Sequence, residues 1–377
     1  APVVPVVPRP ERIPLSFAQQ RVWFINRFDP SAATYNIPSV LRLSGTLDVD
    51  ALRQAVIDVV DRHEVLRTVF PARGGVPHQV IGDIADFDNH DVWQVVGTRD
   101  ELLTSVADGF DVTTEWPLRV RLLPDGDRDF VLALTVHHIA ADGESVLPLI
   151  TDIVTAYTAR AQGDSPVWAP LEVQFADFAI WQHEVLGSAD DADSVIGRQL
   201  GYWRQQLAGV PDVLELPANR PRPAVASHAG ADVGFTIPAQ VSERVATVAS
   251  EFGVTPFMVA HTALAALLAR LTATGDISVG TPTAGRGQAV LDPLVGMFVN
   301  TLVLRTAVDP GKPFAELLDR VRGTDLDAFA HADVPFESVV EAVDPVRSEA
   351  FAPLAQVMLS FDPVASAGSA AVEIAGV

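Results

Sequence analysis

The chain has 377 residues, 48% of them hydrophobic and 20% charged, which suits two domains or lobes with a sizeable buried core. Its 26 basic and 48 acidic residues give a formal charge of −22, which argues against nucleic acid or an anionic membrane as partner, since both need clustered cations. With no cysteine and Lys312 as the only lysine, disulfides, thiolate zinc sites, cysteine nucleophiles and lysine Schiff bases are left with almost no candidate.

The chain opens on Ala-Pro-Val-Val-Pro-Val-Val-Pro-Arg-Pro, which lacks the basic start and unbroken apolar run of a signal peptide. Its prolines predict an extended, semi-rigid linker over residues 1–13, of the kind that follows another domain. Leu15 to Asn26 reads as a short helix. Residues 37–44 alternate apolar and polar, as a half-buried strand does. Residues 48–62 place Leu52, Val56, Val59 and Val60 on one helical face, with Asp48 as N-cap. Phe130 to Val136 is an apolar run that reads as a buried strand leading into His137 and His138, and a helix is expected over 144–162.

Proline-rich punctuation at 166–170 and 217–223 brackets a helical stretch holding Trp181 and Trp203. The lobe boundary is expected there, with an N-terminal lobe over 14–180 and a C-terminal lobe over 181–377. In the second half an apolar helix is predicted over 256–271, strands from Asp276 and over 297–308, and a short helix over 313–323. The mixture predicts an α/β class, or α+β with mixed layers. No stretch approaches the roughly 18 apolar residues that span a bilayer, and the expectation is a cytoplasmic protein.

The segment best suited to chemistry is His137-His138-Ile139-Ala140-Ala141-Asp142-Gly143. A strand that ends in two histidines, followed by an Asp-Gly turn, puts an imidazole at the mouth of a sheet. Successive strand residues face opposite ways, so the two rings are expected in different environments. Histidine titrates near working pH and suits proton transfer. Asp142 would accept hydrogen bonds from its loop or pair with an arginine, and Gly143 would permit a backbone that a Cβ forbids. A structural histidine pair at a strand end remains the alternative on spacing alone. The adjacent histidines lack metal-ligand spacing, and no GxSxG elbow, GxGxxG or Walker A loop occurs. Arg62-His63-Glu64-Val65-Leu66-Arg67-Thr68 gathers four ionisable groups at a helix end. Exposed, they are ordinary; buried, Arg62 needs a carboxylate partner, for which Asp142 is the candidate. Trp23 and Trp181 read as core.

Taken in order, these segments resemble the condensation domains of non-ribosomal peptide synthetases. Leu15-Ser16-Phe17-Ala18-Gln19-Gln20-Arg21-Val22-Trp23 resembles the first core motif of that family, Arg62 to Phe70 the second, and His137 to Gly143 its HHxxxDG motif. Phe175-Ala176-Asp177-Phe178-Ala179-Ile180-Trp181 resembles the fourth, with Phe where Tyr is usual. Val295-Gly296-Met297-Phe298-Val299-Asn300-Thr301, with Arg305 following, resembles the fifth. His331-Ala332-Asp333-Val334-Pro335-Phe336-Glu337 resembles the sixth, and Asp344 to Leu354 loosely the seventh.

The resemblance implies two chloramphenicol-acetyltransferase-like lobes forming a V-shaped pseudo-dimer with a central tunnel. It implies an acyltransferase in which upstream donor and downstream acceptor carrier proteins deliver thioesters on phosphopantetheine arms to His138. The domain itself would hold no cofactor and no metal, would neighbour an adenylation domain, and would be monomeric when excised. His138 and Gly143 would be catalytic, with the Gly143 backbone assisting the developing oxyanion, while His137, Asp142 and Arg62 would be structural. Ser16 to Arg21 resembles the subtype that joins an L-configured donor to an L-acceptor. The rival readings are another HHxxxDG acyltransferase, an epimerisation domain, or a non-catalytic recruitment domain. Family members continue beyond the seventh motif, so an incomplete second lobe is expected, ending within the apolar run over 370–377.

Overall fold

The computed structural model describes residues 2–227 and 229–361; the apolar run over 370–377 lies outside the described residues. The chain forms two compact units. Among the described residues the first comprises 2–185 and 284–299, and the second 186–283 and 300–361.

The first unit is built on a four-stranded sheet. Its helices and strands are α1 (Phe17–Phe28), β1 (Asn36–Ser44), α2 (Val49–Arg62), the two-residue strands β2 to β5 between Thr68 and Ile81, β6 (Trp93–Val95), α3 (Arg99–Ala107), β7 (Leu118–Pro124), β8 (Asp129–His137), α4 (Val146–Arg160) and α5 (Phe175–Leu186). The sheet order is β1-β8-β7-β6, with β6 and β7 parallel and the other pairs antiparallel.

Strand periodicity explains why β7 and β8 are buried on both faces. Leu132, Leu134 and Val136 of β8, with Leu118, Val120 and Leu122 of β7, pack in one core with α2 and α4. Val131, Ala133 and Leu123 point the other way and pack with Leu102 and Val106 of α3. β1, at the sheet edge, keeps the alternation read from its sequence, and its Val40 is exposed. α2 starts on the Asp48 cap, whose carboxylate accepts from the Ala51 N–H, and buries Leu52, Val56, Val59 and Val60 as its periodicity predicts. Burial of each such side chain contributes about 1.5–3 kcal/mol. α1 is displaced from the expected span because Ser16 is its N-cap and forms a capping box with Gln19.

The proline-rich start runs extended along the first unit. The Val3 N–H donates to Gln288, and Arg9 is bonded to both Glu64 and Asp177.

The second unit contains α6 (Val195–Gln206), α7 (Ala239–Phe252), α8 (Pro256–Thr272), β9 (Asp276–Thr283), β10 (Asn300–Ala307), α9 (Phe314–Ala330) and α10 (Phe336–Val343). β9 and β10 pair antiparallel, and the stretch around Met358 bridges to Gly280 in parallel. Two expectations are corrected here. The strand expected over 297–308 begins only at Asn300, whose side chain is drawn away by the 332–336 backbone. The helix expected over 313–323 continues to Ala330, because Val321, Asp325 and Ala328 keep a buried stripe going. No single helix among the described residues is long and apolar enough to cross a membrane.

Candidate active site

His137 and His138 lie in different environments, one closing a strand and the other on the turn beyond it. His137 is the last residue of β8 and is buried, with its ring beside Phe110 and Tyr35. Its Nδ1 accepts from the Ile139 N–H at 3.2 Å, which leaves the ring hydrogen on Nε2. Burial holds this imidazole down at about 3, with the neighbouring His138 and Arg119 pushing the same way. It is therefore neutral at working pH and shapes the turn without exchanging protons with the reaction.

His138 is half-buried on the turn that follows. Its backbone N–H donates to the Tyr35 carbonyl at 2.7 Å, and the Tyr35 ring meets its imidazole edge-on at 6.2 Å. The next residue is held as well, since the buried Gln19 donates from Nε2 to the Ile139 carbonyl at 2.9 Å. The His138 Nδ1 is buried with no hydrogen-bond partner among the described residues. A buried polar atom without a partner is uncommon and calls for a cause. Here it marks an imidazole whose backbone is fixed and whose ring no carboxylate orients.

Asp142 does not supply that carboxylate. Its oxygens accept from the Ser145 N–H and hydroxyl, from both terminal nitrogens of Arg286, and from the Phe298 N–H, all between 2.7 and 3.0 Å. The Ser145 hydroxyl also meets the Gly296 N–H and carbonyl. Asp142 thus ties the HHxxxDG turn to the 284–299 segment, where the Arg286 guanidinium lies over the Phe298 ring at 4.3 Å.

This corrects the expected pairing of Asp142 with Arg62. Arg62 ends α2, and α2 packs along α4, so the carboxylate it meets is Asp152 of α4, at 2.8 Å from Nε. His63 joins the same carboxylate through Nε2 at 2.8 Å, and its Nδ1 lies 3.5 Å from the Val295 N–H. Burial lowers the His63 imidazole, against the raising effect of Asp152. Burial alone would raise Asp152, yet bonds from His63 and Arg62 bring it below the usual carboxylate range. The pair is a neutral imidazole donating to an ionised carboxylate. In the helix-end cluster His63 is buried while Arg62, Glu64 and Arg67 are half-buried, and Arg62 supports the 295 backbone through Asp152 and His63.

A second correction concerns Gly143. Its φ lies outside the left-handed region, and a Cβ there would meet nothing within 4 Å. Backbone strain does not require the glycine. It opens a single 3-10 turn, Gly143–Ser145, capped by Asp142, and leaves free space in front of an exposed backbone. Trp23 is core, donating from Nε1 to the Phe70 carbonyl at 2.7 Å, and Trp181 packs on Phe178.

Sequence reasoning missed Arg286, Asp152, Ser145 and the roles of Gln19 and Tyr35. The available signals were local: glycines on both sides of Arg286, and polar residues inside otherwise apolar helix starts. Among the described residues no group of three or more His, Asp or Glu side chains is placed to hold a metal ion. What the arrangement offers chemically is one imidazole on a rigid turn beside an uncrowded backbone.

The condensation-domain family model matches residues 10–373. The chain is 51% identical over 359 residues to a probable non-canonical nonribosomal peptide synthetase, CymA, of Salinispora arenicola, covering 94% of this chain and 5% of that protein. It is 47% identical to a dimodular nonribosomal peptide synthase of Bacillus subtilis, covering 94% of this chain and 15% of that protein. It therefore spans only a small part of those relatives' length. In structure it is similar to the X-domain from teicoplanin biosynthesis, with a TM-score of 0.84 at 34% identity, over 95% of this chain and 79% of that one. The ordered motifs, the intact HHxxxDG turn and the family match agree: the chain belongs to the condensation-domain family of non-ribosomal peptide synthetases.

Proposed function

We propose that this domain forms peptide bonds by aminolysis of a thioester, with His138 as the catalytic residue. A donor aminoacyl or peptidyl group and an acceptor aminoacyl group arrive on phosphopantetheine arms of carrier proteins. The acceptor amine attacks the donor carbonyl, the N–C bond forms and the C–S bond breaks. The amine gives up a proton, to His138 where that residue acts as base, the departing sulfur takes one up, and the donor arm leaves as a thiol. The carrying observation is His138 itself, with Nδ1 enclosed and unpartnered, which makes Nε2 the ring nitrogen that meets the reactants. With Asp142 fully engaged by its own donors, no carboxylate relay assists the ring. His138 then acts as a modest general base or as a stabiliser of the tetrahedral species. Most of the acceleration comes from holding two tethered reactants together. The Gly143 backbone serves the developing oxyanion. The resemblance of Ser16 to Arg21 assigns an L-configured donor and an L-acceptor.

A second reading is favoured by the likeness to the teicoplanin X-domain, described in one structure as a complex with OxyB. In that reading the domain recruits another protein and is catalytically idle. The intact His137, His138, Asp142 and Gly143 stand against it.

The test loads donor and acceptor aminoacyl groups onto carrier proteins or pantetheine mimics and follows dipeptidyl thioester by mass spectrometry. Product should form with the natural chain and fall by about 10²–10⁴ in His138→Ala. Product at an undiminished rate in that variant would remove His138 from the chemistry. No product from the natural chain, together with tight binding of a partner enzyme, would favour recruitment. Exchange of the α-proton without coupling would mark an epimerase.

A further inference from the structure

The second unit contains an ionisable pair that the reaction does not use. His261 of α8 and Asp325 of α9 are both fully buried, with Nδ1 and Oδ1 2.9 Å apart. They lie between two helices that bury Met258, Ala265, Leu268, Leu317 and Val321 in one apolar core. The other atom of each group, the His261 Nε2 and the Asp325 Oδ2, is buried without a partner among the described residues. No placement of protons satisfies the pair. A neutral imidazole donating to a carboxylate leaves an anion with one bond in an apolar core. An imidazolium, or a carboxylic acid donating to Nδ1, leaves an N–H without an acceptor. Such an arrangement costs stability compared with a well-packed apolar pair, so its presence asks for a use.

The course of α9 suggests what that use is. Six residues beyond Asp325 the chain enters the 331–336 turn, and side chains grip this turn from several directions. Gln199 accepts from the Asp333 and Val334 N–H groups and donates to the Asp333 carboxylate. Asn300 donates to the Ala332 and Val334 carbonyls and accepts from the Phe336 N–H. Trp203 donates to the His331 carbonyl. A turn gripped this closely fits only if α9 arrives at one rotation about its own axis. Apolar packing fixes such a rotation loosely, and a directional bond fixes it sharply.

We propose that the His261–Asp325 pair is a proton-dependent register lock, which sets the rotation of α9 on α8 and so holds the 331–336 turn in position.

Other charges facing this pair are spent elsewhere or exposed. On α8, Arg270 is exposed, as are Glu243, Arg244 and Glu251 of α7. On α9, Glu316, Asp319, Arg320, Arg322 and Asp327 are exposed. Asp276 and Arg305 on the strands beneath are paired with each other, and His331 is bonded to the Asp327 carbonyl. The proton is therefore governed by the core and by the two partners. Burial pushes the Asp325 carboxyl up, against the lowering effect of its bond to His261. A raised folded-state value means the lock's contribution is present at low pH and is lost as pH rises through that value.

The test uses the full chain, with melting temperature and amide exchange measured at pH 5 and pH 9. The natural chain should exceed Asp325→Asn in melting temperature by more at pH 5 than at pH 9. The Asp333, Val334 and Phe336 amides should lose about tenfold in protection at the higher pH, after correction for intrinsic exchange, while the His138 amide keeps its own. The double variant His261→Leu, Asp325→Leu should fold, lose the pH dependence, and show weakened protection of the turn at both pH values. A pH-independent gap, or a turn equally protected in the double variant, overturns the proposal. If Asp325→Asn alone fails to fold, the double variant decides.

Discussion

Arg286 and Asp142 stand 144 residues apart in the chain and meet in a two-pronged ion pair, Nη1 to Oδ2 at 3.0 Å and Nη2 to Oδ1 at 2.9 Å. Both side chains are below 10% exposed, at 7% and 2%. Removing one partner leaves the other charge buried. Arg286→Ala should therefore cost about 3–5 kcal/mol of stability in urea unfolding. Arg286→Lys keeps the charge but loses the fork, and should cost about 1.5–3 kcal/mol, the size of one hydrogen bond to a charged group. If Arg62→Ala instead proves the variant that loosens the HHxxxDG turn, the assignment of Asp142's partner is wrong.

The buried histidines make a signed prediction about acid. The folded His137 is held at about 3, against an ordinary 6.5. A depressed folded-state value means that the unfolded chain takes up the proton first as pH falls. The stability this group contributes is present above pH 6.5 and is lost as pH falls from there toward its folded value. Each proton taken up by the unfolded chain alone lowers stability by about 1.4 kcal/mol per pH unit. The lowered His63 adds in the same direction. Urea midpoints between pH 7 and pH 4.5 should fall steeply, and His137→Leu should flatten the slope by about one proton. An unchanged slope in that variant would mean that His137 is charged in the folded state.

Much of this was legible in the sequence where periodicity decides. α2, β1 and β8 follow their apolar patterns, and the different environments of His137 and His138 were expected, though His138 already lies on the turn beyond β8. Partner choice was not legible, because it depends on which elements lie side by side. Arg62 looked toward Asp142 only because both are charged and near recognisable motifs. The packing of α2 on α4 puts Asp152 in its reach, and Arg286 enters from a segment with no periodic signal. The Gly143 argument failed for a related reason. A glycine's role lies in its φ and in what stands before its missing Cβ, and the residue letter carries neither.

The proline-rich start should behave as part of the first unit. Arg9 donates to Glu64 at 2.6 Å and to both oxygens of the buried Asp177, at 2.9 and 3.1 Å. In Arg9→Ala the Asp177 carboxylate keeps only the Val6 and Gln174 N–H groups. The loss should be about 2–3 kcal/mol, since a buried acceptor gives up a charged partner. Asp177→Asn, which needs no counter-charge, should lose less. Limited proteolysis provides the second measurement, with faster cleavage between residues 2 and 13 in Arg9→Ala. Equal cleavage in the natural chain and the variant would show the segment to be loose in both.

Two glycines near the same turn should respond in opposite ways to a single methyl group. At Gly296 a Cβ would collide with the rings of Phe175 and Phe298, and Phe175 is buried. Gly296→Ala should therefore cost about 1–3 kcal/mol through overpacking, and lose activity only as far as it loses fold. At Gly143 a Cβ meets nothing within 4 Å, and the backbone needs no left-handed angle. Gly143→Ala should melt within ~2 °C of the natural chain, as exposed substitutions away from special features do. If the open space before Gly143 admits the tetrahedral intermediate, that variant, which keeps the backbone N–H, should still lose at least ~10-fold in dipeptidyl thioester formation. The contrast separates a loss of packing from a loss of reaction. Full activity in Gly143→Ala would show that the reaction does not need the space before this residue, and would leave only its N–H as a contributor.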